Sequence, residues 1–227
     1  MNQRRQFLSG CVALGVLPAA SAFATQDEKP KPLKQKMVNT FVAKSHGDIK
    51  TIKSLLKKEP ALVNCARDWG DGDWETGLGA ASHVGRSEIA KLLLDNGARL
   101  DAFAATMLGM NGIVSEMLKV LKDLHAVPGP HGIPLLVHAI NGREQAEDVF
   151  ELLLDAGADV NATDKMLMTP LSAAVHVSNA EQVEELLRRG ADPKAKNSKG
   201  ESILEVANRR NDLNVIGLIE NAIKSTK

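Results

Sequence analysis

Apolar positions in this chain cluster at helical spacing. Val183, Leu186 and Leu187 fall at i, i+3 and i+4 and predict one buried stripe on a short helix. Before them, Leu171, Ala173, Ala174 and Val175 are small or apolar and suit a second, tightly packed helix. Thr169 is a good N-cap, and Pro170 fits the first helical position, where a missing N–H costs nothing. Arg188 and Arg189 complement the negative end of the later helix, and Gly190 can take the left-handed conformation that ends it. Helices this short do not persist alone in water, so each must stack on its neighbours.

The pattern repeats. Gly157-Ala158-Asp159 returns as Gly190-Ala191-Asp192, and Thr169-Pro170-Leu171-Ser172 returns as Ser202-Ile203-Leu204-Glu205, each after 33 residues. Walking back, Ile133-Pro134-Leu135-Leu136 opens a unit closed by Leu152-Leu153-Leu154 and Gly157, with a lengthened turn between Gly142 and Val149. Thr76-Gly77-Leu78 opens another, closed by Leu92-Leu93-Leu94 and Gly97. Phe41-Val42-Ala43 to Leu55-Leu56 is a degenerate first unit, its polar face carrying Lys44, Lys50, Lys53, Lys57 and Lys58 as an N-terminal cap should. Residues 202–224 form the opposite cap. One unit is short: Gly85 and Gly109 hold equivalent places only 24 residues apart, and Leu100-Asp101-Ala102-Phe103 leaves no room for the usual finger.

A 33-residue period with Thr169-Pro170-Leu171 at the helix start resembles the ankyrin-repeat family. The resemblance covers residues 37–224, strongest from 133 onward. It implies an all-α solenoid of about six helix–turn–helix repeats, two of them caps, with some β-hairpin fingers. It also implies a binding scaffold and not an enzyme, holding another protein through its concave face and finger loops.

Composition agrees. Aromatics make up 3% of the chain and Tyr is absent, too few to fill the faces of a β-sandwich or barrel. The formal net charge is +0, a poor match to the phosphate neutralisation that nucleic-acid binding requires.

Residues 1–24 read as a signal peptide: a basic pair at Arg4-Arg5, an apolar core at Val12–Leu17, and Ala22-Phe23-Ala24 as cleavage pattern. Arg4-Arg5-Gln6-Phe7-Leu8 resembles the bacterial twin-arginine export signal, although Gln3 and Ser9 depart from its usual pattern and ordinary secretory signals also carry arginine pairs. The expectation is a bacterial periplasmic or secreted protein, with residues 25–36 a polar linker and 37–227 the repeat domain. Nothing after the signal is apolar for long enough to span a membrane. Of the two cysteines only Cys65 survives such processing, so no intramolecular disulfide is expected and a buried thiol is the simplest reading.

Chemistry is sought where the repeat breaks. Asp68-Trp69-Gly70-Asp71-Gly72-Asp73-Trp74-Glu75 holds both tryptophans of the chain among four carboxylates. One reading is a recognition loop, with Trp69 and Trp74 as apolar anchors and Asp71 and Asp73 meeting basic groups of a partner. The other is that one Trp folds back over a long loop. The second break, Pro128-Gly129-Pro130-His131-Gly132-Ile133-Pro134, is a bent connector that presents His131. The partner-binding set is therefore Trp69, Asp71, Asp73, Trp74, Glu75 and His131, with no catalytic residue, metal ligand or cofactor assigned. The alternative is a metal- or small-molecule-binding protein or enzyme that uses Asp71, Asp73, Glu75 and His131. An EF-hand is excluded because residue 79, where its closing Glu would stand, is Gly. His83, His138 and His176 lack H-x-x-x-H spacing and are expected to hydrogen-bond between neighbouring helices.

Overall fold

The computed structural model describes residues 31–225. The signal segment and residues 25–30 of the linker lie outside the described residues.

Helices come in sequential pairs: α1 (Gln35–Ser45) with α2 (Ile49–Lys58), α3 (Gly77–His83) with α4 (Ser87–Asp95), and α5 (Ala102–Met107) with α6 (Asn111–Val120). The series continues with α7 (Leu135–Gly142) and α8 (Glu147–Asp155), α9 (Pro170–Val177) and α10 (Ala180–Arg188), and α11 (Ile203–Arg210) and α12 (Leu213–Ser225). The first helix of each pair also packs on the first helix of the next, from α1 through α11. α1 begins at Gln35, inside the stretch read as linker.

Small side chains make this close stacking possible. Ala80, Ala81, Ala104, Ala105 and Ala174 are fully buried along the first-helix row. At Gly77, a Cβ would lie 2.7 Å from the Phe41 ring of α1, so only glycine fits there. The larger apolar residues of the second helices close the core from behind: Ile52, Leu93, Val114, Val149, Leu153, Val183 and Leu186. The caps follow the sequence. Thr169 accepts from the Ser172 N–H, and the Ser172 hydroxyl accepts from the Thr169 N–H in return; Ser202 and Glu205 repeat this capping box one unit later. Gly157 and Gly190 share φ of +92°, a left-handed conformation that ends α8 and α10 at the same point of the repeat.

Fingers are sparse. Among the described residues one two-stranded sheet forms, β1 (Ala66–Asp68) antiparallel to β2 (Trp74–Thr76), with Ala66 opposite Thr76 and Asp68 opposite Trp74. Elsewhere only single bridges mark the place of a finger, at Pro128–Pro134 and Lys196–Ser202.

The short third unit has the largest structural consequence. α4 ends at Asp95 and α5 starts at Ala102, capped by the Asp101 carboxylate on the Ala104 N–H. α5 has only 6 residues, and α3 and α7 touch each other across it. With no finger before α5, the hairpin before α3 meets the connector before α7 directly.

Candidate functional site

The hairpin Ala66–Thr76 turns through Gly70, Asp71 and Gly72, all at positive φ. Strand alternation then decides which side chains face out. Trp74 is 58% exposed, while its neighbour Glu75 is fully buried. Asp73 is nearly buried too, and Asp71 stands exposed at the tip.

Asp73 is the anchor between hairpin and connector. Its carboxylate accepts the His131 backbone N–H at 2.9 Å and faces the His131 ring Nδ1 at 3.0 Å. The Lys165 ammonium donates to the same carboxylate at 2.8 Å, and the Lys165 N–H donates to the His131 carbonyl at 3.0 Å. Burial alone would push the Asp73 carboxyl up. The His131 N–H, the Lys165 ammonium and the His131 ring outweigh it and hold the group at about 2. These contacts keep His131 in the left-handed region, φ +61°, an uncommon place for a non-glycine residue.

Glu75 sits one layer deeper. Its Oε2 accepts the Trp69 indole N–H at 3.0 Å. Its Oε1 is surrounded by three imidazole nitrogens: His83 Nδ1 at 3.2 Å, His131 Nε2 at 3.4 Å and His46 Nε2 at 3.6 Å. Burial pushes the Glu75 carboxyl up, but the imidazoles of His83, His46 and His131 more than offset it, and the group titrates below the usual carboxylate range. The rings pack edge to face, His46 on His83 at 4.9 Å and His83 on His131 at 5.6 Å between centroids.

The two tryptophans divide. Trp69 folds back: its indole N–H is bound to Glu75, its edge meets His131 at 5.2 Å, and the Arg67 guanidinium covers its face at 3.4 Å. Trp74 faces outward. It borders a cleft of about 420 Å³ lined also by Asp71, Phe103, Pro128 and Lys165.

Asp73, Glu75 and His131 are thus brought together, with Asp71 apart at the tip. Asp73 and Glu75 point inward, because alternation along the hairpin and the Lys165 and histidine contacts draw them into the interior. Two residues of the site carried no motif in the sequence: His46, which follows α1, and Lys165, which lies 92 residues from its partner Asp73. His138 differs from expectation. It is fully buried, neither ring nitrogen has a hydrogen-bond partner, and Phe103 packs on it at 5.0 Å. Burial pushes its pKa down to about 3, with the nearby His83 adding to the shift.

Comparison with known proteins bears on the repeats. A family model described as ankyrin repeats in many copies matches residues 153–207, and a single ankyrin-repeat model matches residues 131–165. The family these matches support is the ankyrin-repeat family. Neurogenic locus notch homolog protein 1 of Mus musculus is 32% identical over 144 residues, and that of Homo sapiens is 31% identical over 147. These alignments cover 59% and 60% of this chain but only 6% of each relative, so the chain spans a small fraction of their length. An ankyrin repeat protein of Acanthamoeba polyphaga mimivirus is 31% identical over 80 residues, 35% of this chain and 11% of that protein. The hairpin with Asp73 and Glu75 lies outside the stretches that the ankyrin models match, and His131 is the first residue inside them. Ankyrin repeats imply a protein–protein interaction scaffold. Among the described residues no helix is long and apolar enough to cross a membrane.

Proposed function

We propose that this chain is an exported ankyrin-repeat scaffold of the bacterial periplasm. In this reading it carries no chemistry of its own and holds a partner protein on the outer face of the Ala66–Thr76 hairpin and the cleft beside it. The observation that carries the reading is Trp74. It is a large apolar side chain, 58% exposed, on a strand whose geometry the Asp73 and Glu75 contacts fix from behind. Trp is enriched at binding hot spots, and a preformed anchor loses little entropy on docking. Asp71 at the tip and the Lys165 ammonium at the cleft supply charge of both signs around it. Asp73, Glu75 and His131 support this face from within, and Trp69, 42% exposed, stands beside it. Among the described residues, Trp69 and Trp74 are the aromatic ones of the exposed large hydrophobic side chains. Export rests on the Arg4-Arg5 segment and the Ala22-Phe23-Ala24 cleavage pattern.

The test is in-cell crosslinking and pull-down from the periplasmic fraction, with wild type beside a folded Trp74→Ala variant. A single protein recovered by wild type and lost by the variant supports the reading. The same protein recovered equally by both removes Trp74 from the contact, and absence of the chain from the periplasm contradicts export.

A further inference from the structure

The geometry points to a site for a divalent transition metal of the zinc class. We propose that His46 Nε2, His83 Nδ1 and Glu75 Oε1 are its ligands, with His131 Nε2 beside them at 3.4 Å from Glu75 Oε1.

The ligand atoms of His46, Glu75 and His83 all lie within 4.8 Å of one another. Those of His83, His131 and His46 stand 3.2, 3.4 and 3.6 Å from Glu75 Oε1. Ligand atoms bonded at about 2.0–2.1 Å to a tetrahedral ion sit about 3.3 Å from each other, close to the separations of these nitrogens from Glu75 Oε1.

Glu75 Oε1 and His83 Nδ1 are both buried and neither has a hydrogen-bond partner, although they are 3.2 Å apart. The oxygen lies off the line of the ring N–H. Buried polar atoms of this kind are costly unless something satisfies them.

Tautomers strengthen the case. His46 Nδ1 lies 3.2 and 3.1 Å from the carbonyl oxygens of Val42 and Ala43, which can only accept, so Nδ1 carries the proton. His131 Nδ1 faces the ionised Asp73 carboxylate at 3.0 Å and carries its proton for the same reason. With Nδ1 so engaged, Nε2 is the nitrogen that each of these two rings turns toward the Glu75 carboxylate oxygen. A proton satisfies one donor–acceptor line at a time. A metal ion accepts electron pairs from several directions at once.

The surroundings are those of a metal site. His46, His131 and Glu75 each have an orienting partner: the α1 carbonyls for His46, Asp73 for His131, and the Trp69 indole N–H for the second oxygen of Glu75. Imidazoles with one carboxylate and no thiolate suit zinc and its first-row neighbours, not calcium or magnesium. The side chains of His46 and His131 are 32% and 29% exposed, which leaves a route in from solvent. A bound ion would fasten the helix pairs that contribute His46, His83 and His131.

The experiment is isothermal titration of the tag-free mature chain, stripped with chelator, with zinc chloride near pH 7, paired with thermal unfolding with and without zinc. One zinc per chain is expected, with no heat from calcium and a higher Tm in zinc. Cobalt should give the visible absorption of a low-coordinate site. Glu75→Gln and His83→Ala should abolish binding, and His46→Ala and His131→Ala should weaken it at least about tenfold. The exposed His176→Ala should change nothing. If the buried Glu75→Gln does not fold, the partly exposed His46→Ala decides the matter. Absence of saturable zinc binding by folded wild type overturns the proposal, as does binding within twofold of wild type in His46→Ala.

Discussion

Asp73 and His131 stand 58 residues apart in sequence and are joined by two contacts, one to the His131 backbone N–H and one to its ring. They meet because the unit between them has no finger. Its absence brings the hairpin before α3 against the connector before α7 and gathers the residues of the site.

The clamp predicts an asymmetry in stability. Asp73 is nearly buried and receives three donors, whereas Lys165 is 56% exposed. Asp73→Ala should cost about 2–4 kcal/mol, because it leaves His131 in a left-handed conformation with its N–H unpaired. Lys165→Ala should cost less than about 1 kcal/mol. Urea denaturation of both variants beside wild type measures the difference, and equal losses would contradict the assignment of Asp73 as anchor.

His138 predicts acid sensitivity. Its folded pKa is about 3, against an ordinary value of 6.5. Above pH 6.5 the ring is neutral in both states. As pH falls toward 3, the unfolded chain takes up a proton that the folded chain refuses, so stability falls by up to about 1.4 kcal/mol per pH unit. Denaturation at pH 7.5, 6 and 5 should show this slope. His138→Leu should reduce it between pH 6 and 5, leaving the smaller part that His176, also lowered by burial, contributes.

The turn glycines predict a contrast in packing. Gly109 has φ +67°, and a Cβ there would lie 1.7 Å from the Gln145 carbonyl oxygen of the next unit. Gly97 has φ +89° but open space around it. Gly109→Ala should cost more than about 3 kcal/mol, combining strain with overpacking, and Gly97→Ala about 1–2 kcal/mol from backbone strain alone. Thermal unfolding of the pair measures both.

Cys65 predicts chemical silence. The thiol is buried, and burial pushes its pKa to about 11. Thiolate is therefore scarce at pH 8. Modification by a disulfide reagent should wait on unfolding, with a rate that rises in urea along with loss of helical signal.

Much of the helical architecture was legible in the sequence. The stripe Val183, Leu186, Leu187, the Thr169-Pro170 start and the Gly157 and Gly190 stops are local signals, and short helices leave local periodicity intact. The trimmed finger was legible too, from the 24-residue interval between Gly85 and Gly109. Its consequence was not, because contact between hairpin and connector is a property of neighbouring units in space. Acidic residues in a glycine-rich loop look solvated, yet Asp73 and Glu75 are drawn inward by His131, Lys165 and Trp69, none of them adjacent in sequence. Two signals did point to Glu75. It is flanked by Trp74 and Thr76 in a strand, where alternation turns neighbours to opposite faces. His46 and His83 also close the first helices of successive pairs, which places them on one side of the stack. The division of labour between Trp69 and Trp74 rested on Arg67 and Glu75 and had no local mark.

The most direct test of the account replaces Asp71, at the exposed hairpin tip, with a photo-crosslinking residue in the exported chain. A second chain carries the same residue at Lys57, on the exposed face of α2. Irradiation in cells followed by mass spectrometry should yield one specific adduct from position 71 and none from position 57, and Trp74→Ala should remove it. Adducts of the same protein at equal yield from both positions, or an adduct from position 71 that persists in Trp74→Ala, would contradict the claim that this hairpin is where the scaffold holds its partner.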